Sequence, residues 1–308
     1  MTISYTRLQV VSALQRFCVA TIFTCMSFQS LADDMRPYIS GGYRAVVIEG
    51  KIEPGDFATF SRILRENNGQ VSTVFCFSPG GDFYEAMKIG RAMRALELNS
   101  VAPTQSASGR PVCDAPAKPN DPKNCTCASA GFFLHIGGEG KFGTYLAAHR
   151  PYFEKGRFGN LSEINAKAAF DALQSSARDY MTEMGVPPHV QEEVLGTPSD
   201  RNLFLDERTI KTYFSGDLPY HREWLANRCG ALSSSEKQRS NVYSARLRVG
   251  GKLSAFSTDE RSDFDALQEK EHAERKCVIA VTDQSRLAAY ERYFHEKPNA
   301  ALVRTNKK

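Results

Sequence analysis

The run from Val71 to Phe77, rich in β-branched and aromatic residues and ending in Ser78-Pro79-Gly80-Gly81, constrains this chain most. Such a segment reads as a buried strand, and Pro-Gly-Gly is a turn signal that stops it. Directly afterwards Asp82 and Glu85 form a capping-box-like start, and Ala86, Ile89, Met93 and Leu96 give the inward stripe of a helix. Upstream, Tyr43 to Gly50 reads as another strand, and Pro54 to Glu66 sets Phe57, Phe60 and Leu64 on one helical face. Ser100 to Pro103 adds a short strand. Strands alternating with helices argue for an α/β layer with parallel pairing.

The second half repeats the pattern. Ser129 opens an apolar, helix-like segment, Phe132 to Ile136, closed by Gly137-Gly138, and Thr144 to His149 reads as a strand. Ser162 begins a longer helix with Ile164, Ala168 and Ala172 on one face, ending at Gly185; a shorter helix runs to Gly196. The loop Thr197 to Asp200 leads into an extended Asn202 to Leu205, and Asp206 caps the next helix. Beyond Ser215 the pattern weakens: the charged stretch 258–275 predicts an exposed helix, and Cys277 to Val281 a terminal strand.

Arg7 and Arg16 precede an uncharged stretch, Phe17 to Leu31, ending in Ser30-Leu31-Ala32, with no acid before Asp33. That is the layout of a cleaved secretory signal over residues 1–32, and it predicts a periplasmic or secreted protein. The run falls short of the roughly 20 apolar residues of a spanning helix. Its removal takes away two arginines and no acids, so the net charge of +4 falls by 2 to +2. That balance gives no case for nucleic acid.

Of the eight cysteines, Cys18 and Cys25 leave with the signal, and an even set of six in an exported chain suggests disulfides. Cys113 lies in a polar insert, Pro111 to Asn124, that can close onto Cys125 or Cys127; Cys229 and Cys277 would staple the C-terminal region. Cys76, in an apolar strand, reads as a buried free thiol. Zinc at Cys125-Thr126-Cys127 lacks a second pair or a histidine at ligand spacing, so neither metal nor cofactor is expected.

A serine hydroxyl is a weak nucleophile and needs a base in reach, with free N–H groups nearby to hold an oxyanion. Ser129 at a helix start, His149 at a strand end and the Gly80-Gly81 turn supply those parts. Each also has a plain structural reading: an N-cap, a core histidine and a strand-to-helix turn. Lys141 and Lys155 sit in polar stretches where a lysine stays charged, which weighs against a Ser–Lys pair.

Strand-Ser78-Pro-Gly-Gly81-helix, then Ala128-Ser129-Ala130-Gly131, then a strand ending in His149, resemble the proteolytic subunit of Clp protease and its secreted relatives in the ClpP/crotonase superfamily. The resemblance covers roughly residues 43–215. It implies an α/β fold of repeated β-β-α units in a spiral for a domain over 33–215; it does not reach the signal at 1–32, the insert at 111–124 or the C-terminal region, 216–308, which reads as an appended α+β extension. It further implies Ser129 as nucleophile, His149 as general base, and the N–H groups of Gly80 or Gly81 and of Ala130 as oxyanion hole. Asp200, ahead of Phe204-Leu205, matches the acid, with Asp206 and Asp179 as alternatives. The expected function is an exported serine peptidase-like hydrolase acting on peptide or ester bonds of flexible or unfolded chains. The alternative is a binding or assembly module that keeps the frame without turnover. No ATPase partner is expected in a compartment without ATP, and rings or trimers in the superfamily make a homo-oligomer possible.

Overall fold

The computed structural model describes residues 35–113, 116–153 and 155–296; the expected signal at 1–32 lies outside them. The first half contains β1 (Arg36–Ser40), β2 (Tyr43–Ile52), α1 (Asp56–Glu66), β3 (Val71–Gly81), α2 (Phe83–Ala95) and β4 (Asn99–Val101). A small ribbon, β5 (Thr104–Gln105) and β6 (Pro111–Val112), starts the insert. Then come β7 (Cys127–Ala128), α3 (Ala130–Ile136), β8 (Gly140–Phe142) and β9 (Leu146–Ala148). They are followed by α4 (Lys155–Phe158), α5 (Glu163–Glu183), α6 (Pro188–Gly196), β10 (Leu203–Phe204) and α7 (Glu207–Tyr213). The C-terminal stretch adds β11 (Gly216–Asp217), α8 (Pro219–Cys229), α9 (Ser234–Arg248) and α10 (Thr258–Glu291).

The fold is mixed α/β. Its nine-stranded sheet runs β10-β9-β7-β3-β4-β8-β11, with β2 on the other side of β3 and β1 outside β2. Strand β3 is the axis. Its first half pairs in parallel with β4 (Thr73 opposite Asn99) and its second half with β7 (Ser78 opposite Cys127), while β2 runs alongside both. The ladders joining β2, β3, β4, β7, β8 and β9 are parallel, and the added β1, β10 and β11 are antiparallel.

Strand β3 does not stop at Pro79, as the turn signal suggested, but continues to Gly81. Gly80 and Gly81 hold φ of 116° and 138°, values an L side chain rarely adopts, and so keep register with Lys51 and Ile52. The chain then enters α2 through Asp82, whose carboxylate accepts the Glu85 N–H at 2.9 Å. Only half of a capping box forms, because the Glu85 carboxylate reaches across to the Phe57 N–H at 2.8 Å.

Alternation splits the central strands between two cores. Val46, Ile48, Val74 and Cys76 face the helices with Phe60, Ile89, Met93 and Phe133. Ala45, Val47, Phe75 and Phe77 face the opposite side, where Ala117 of the insert covers them. Both faces are therefore dry, as parallel strands require. The insert is held by the Cys113–Cys125 disulfide and by Glu49, which is 2 % exposed. Glu49 accepts the N–H groups of Asn120 and Asp121 at 2.6 and 3.0 Å and pairs with Arg36 at 2.8 Å.

Three expectations are corrected here. On α5 the buried face is Leu173, Ala177, Tyr180 and Met181, not the stripe begun by Ile164, which is 82 % exposed. The C-terminal half of this helix docks on the core, where the Tyr180 hydroxyl donates to the Phe133 carbonyl at 2.8 Å, and the N-terminal half projects past it. Cys277 to Val281 is helical, inside α10, not a strand. A capping box at Ser257 and Glu260 starts that helix, and the few tenths of a kcal/mol lost at Val278, Ile279 and Val281 do not interrupt it. Finally, Cys76 is not a free thiol; it is bonded to Cys127.

The third disulfide, Cys229–Cys277, joins the end of α8 to α10, and Ala289 and Tyr290 near the end of α10 are buried. Among the described residues no helix is long and apolar enough to cross a membrane.

Candidate active site

Three adjacent parallel strands end at one edge of the sheet. Ser78 stands opposite Cys127, Cys127 opposite Leu146, and Ala128 opposite Ala147. One or two residues past those pairs come Gly80, Ser129 and His149, so register alone brings three distant segments to the carboxyl ends of neighbouring strands. That is where open α/β sheets place their ligand sites. A cavity of about 420 Å³ opens there, and its lining includes Gly80, Gly81, Ser129, Ala130, His149 and Asp200.

Ser129 sits at φ 54° and ψ −119°, outside the regions a serine prefers. Such a conformation costs on the order of 1–3 kcal/mol and persists only where the surroundings impose it. Its N–H is fixed to the Ala147 carbonyl at 3.0 Å and its carbonyl accepts the Phe132 N–H at 3.1 Å. The hydroxyl makes no capping bond to α3, although serine is a preferred N-cap. The N-cap reading of this serine therefore does not account for its hydroxyl, which stands half-buried at the cavity wall.

Ala130 is the first residue of α3, where an N–H has no acceptor within the helix. Gly80 packs against Ser129 so closely that a Cβ on it would lie 2.6 Å from Ser129 Cβ and 3.1 Å from the Ala130 nitrogen. The Gly80 N–H donates to Ser78 Oγ at 3.1 Å.

His149 is 7 % exposed. Its Nδ1–H donates to the Arg150 carbonyl at 2.9 Å, since a carbonyl oxygen can only accept. The Tyr152 ring lies 5.8 Å from the imidazole. Among the described residues no hydrogen bond joins His149 to Ser129 Oγ or to Asp200. Asp200 is exposed in the loop before β10, on the cavity wall with Ser199, Arg201 and Asn202. The alternative acids lie elsewhere. Asp206 caps α7, accepting the Thr209 N–H at 2.8 Å, which holds its carboxyl below the usual range. Asp179 is an exposed residue of α5 and does not line the cavity.

Lys141 is 4 % exposed rather than solvated, and burial, reinforced by the Arg94 charge, pushes its pKa down to about 8. It is not on the cavity wall. The Lys155 side chain lies outside the description. Both cysteines of the Cys125-Thr126-Cys127 pair are in disulfides, and among the described residues no cluster suits a metal ion.

Sequence reasoning missed much of the wall. Phe83, Phe133, Pro79, Pro151 and Tyr152 form apolar parts of it, and Lys51 and Arg201 add exposed positive charge. Pro79 carried a signal as part of Ser78-Pro-Gly-Gly81, and Pro151 and Tyr152 through their nearness to His149 in sequence; the others carried none. No described residue of the insert lines the cavity; Ala117 covers the far face of the sheet instead.

No protein-family model matches the chain, and no curated protein does. Solved structures do. ClpP1 from Listeria monocytogenes and a point mutant of it each align at 18 % identity and a TM-score of 0.38, over 55 % of this chain and 86 % of theirs. A mutant of the 1510-N membrane-bound stomatin-specific protease aligns at 18 % identity and a TM-score of 0.35, over 61 % of this chain and 84 % of its own.

Proposed function

We propose that this protein is an exported serine peptidase-like hydrolase in which Ser129 attacks a peptide or ester carbonyl. One observation carries the reading: a serine held at positive φ, its hydroxyl unused by the helix it starts, on a cavity wall shared with His149 and the Gly80-Gly81 end of β3. His149 takes the Ser129 proton through Nε2, the acceptor nitrogen of the tautomer its Nδ1–H bond selects. The N–H groups of Ala130 and of Gly80 or its neighbour Gly81 receive the developing oxyanion, and water later releases the acyl group. The Ser78-Pro-Gly-Gly81 motif and the serine-to-histidine order, which carry the resemblance to the ClpP/crotonase superfamily, support this assignment. The three disulfides favour an oxidising compartment, hence export, and the part of the wall formed by Phe83, Phe133 and Pro151 suits an apolar residue at the cleaved bond of a flexible peptide.

The missing hydrogen bond between Ser129 and His149 favours a second reading, a binding or assembly module. Apo sites are often loose in this way and tighten around substrate. Turnover separates the two. A fluorogenic peptide library incubated with the protein should be cleaved after apolar residues, and Ser129→Ala should abolish cleavage. Peptide binding without any cleavage supports the module.

A further inference from the structure

We infer that His149 is oriented by the main-chain carbonyl of Arg150 and not by Asp200, so the site works as a serine–histidine pair with a backbone orienter. This rests on the hydrolase reading for its use, but not for its geometry.

Nδ1 of a neutral imidazole carries one proton, and here the Arg150 carbonyl takes it at 2.9 Å. A carboxylate in a Ser-His-Asp site does two things: it selects the tautomer with Nε2 unprotonated, and it steadies the imidazolium that forms. A carbonyl oxygen does the first equally well, because it too can only accept.

What the carbonyl needs is a fixed direction, and the surrounding chain supplies it. Arg150 precedes Pro151, which confines its ψ to the extended range and so restricts where its carbonyl points. The Arg150 N–H donates to the Thr197 carbonyl at 3.1 Å, tying the segment to the end of α6. Its guanidinium carbon lies 5.6 Å from the Phe170 ring centre. One residue on, the Pro151 carbonyl accepts the Gln174 side-chain N–H of α5 at 3.1 Å. Arg150 is thus a positioning residue acting through its backbone, held from two helices. Asp200 is exposed on the rim and makes no hydrogen bond to His149.

Nitrogen-15 NMR of histidine-labelled protein tests this without requiring turnover, with the His149 signals identified by their loss in His149→Gln. The expected spectrum shows His149 protonated at Nδ1 and bare at Nε2, unchanged in Asp200→Asn. An Nε2–H tautomer in the protein as isolated, or a switch to it in Asp200→Asn, overturns the inference. Kinetics give a second arm. Where a carboxylate sets the tautomer, Asp to Asn costs about 10⁴-fold in kcat; here Asp200→Asn should cost no more than about tenfold, below the roughly 10²–10⁴ that a general base contributes. Gln174→Ala, which frees the Pro151 carbonyl, should broaden the His149 Nδ1–H signal and lower kcat more than it raises KM. An unaltered signal and kcat in Gln174→Ala contradict the clamp. Failure of Ser129 to react with any acylating probe would instead refute the hydrolase reading and leave the NMR result standing.

Discussion

A methyl group on Gly80 would stand 2.9 Å from Ser129 Oγ as well as crowding its Cβ, and Gly80 holds a φ of 116° that alanine avoids. Gly80→Ala must therefore shift the serine, the glycine strand, or both. We expect it to lower kcat by about 10²–10³-fold, the scale of an oxyanion site put out of place, because Ser129 and the Ala130 N–H are pushed aside. It should also destabilise the fold by at least ~1 kcal/mol, the penalty of alanine at positive φ. Steady-state kinetics and a urea melt check the two parts, and a kcat near wild type would show that Gly80 is remote from the reacting atoms. At this scale the serine, the histidine and the glycine pair stood out in sequence through their order and spacing, each alone having an ordinary structural reading, and all of them line one cavity. Asp200 was legible only as one acid in the right loop. Sequence carries no trace of a main-chain carbonyl that happens to face an imidazole, so the Arg150 contact could not have been read.

The elements were read well wherever apolar period and caps agreed. Strand β2 and helices α1 and α2 start and end close to their expected bounds, and Asp206 caps α7 as its position suggested. The misreadings share a cause, tertiary context overriding a local signal. Gly80-Gly81 looked like a turn but pairs with β2; the start of α5 looked amphipathic but has nothing to pack on; Cys76 looked like a lone core thiol until β7 came beside β3. That last pairing matters for the site, since Cys76–Cys127 bolts the strand bearing Gly80 to the strand bearing Ser129. Both cysteines are fully buried and the bond closes a separation of 51 residues, worth ~4 kcal/mol in the chain-entropy account. Cys76→Ala/Cys127→Ala should lose stability of about that size and lower kcat with it. An unchanged denaturation midpoint would mean that the two strands hold their register without the bond.

The whole molecule is a two-faced sheet whose second face is closed by the insert. Burial alone would raise the Glu49 carboxyl, but the Asp121 N–H, Arg36 and Asn124 outweigh it and leave it below its usual range. A carboxyl depressed in the folded state contributes stability above its unfolded value, about 4.3, and loses it as pH falls toward the folded value. The insert should accordingly loosen below about pH 4.3, seen as faster hydrogen exchange across 116–124. Glu49→Gln should exchange fast already at neutral pH, and slow exchange in that variant would assign the insert's anchoring to the disulfide alone. The C-terminal extension was the least legible part, because its helices are polar on most of their surface and only a few residues such as Leu225, Leu267 and Tyr290 are buried. Everything functional still turns on one oxygen atom. Intact-mass analysis after exposure to a fluorophosphonate probe should show a single adduct that peptide mapping places on Ser129, absent in Ser129→Ala and slowed in His149→Ala. A protein that stays unmodified, or that is labelled equally well without Ser129, contradicts the account.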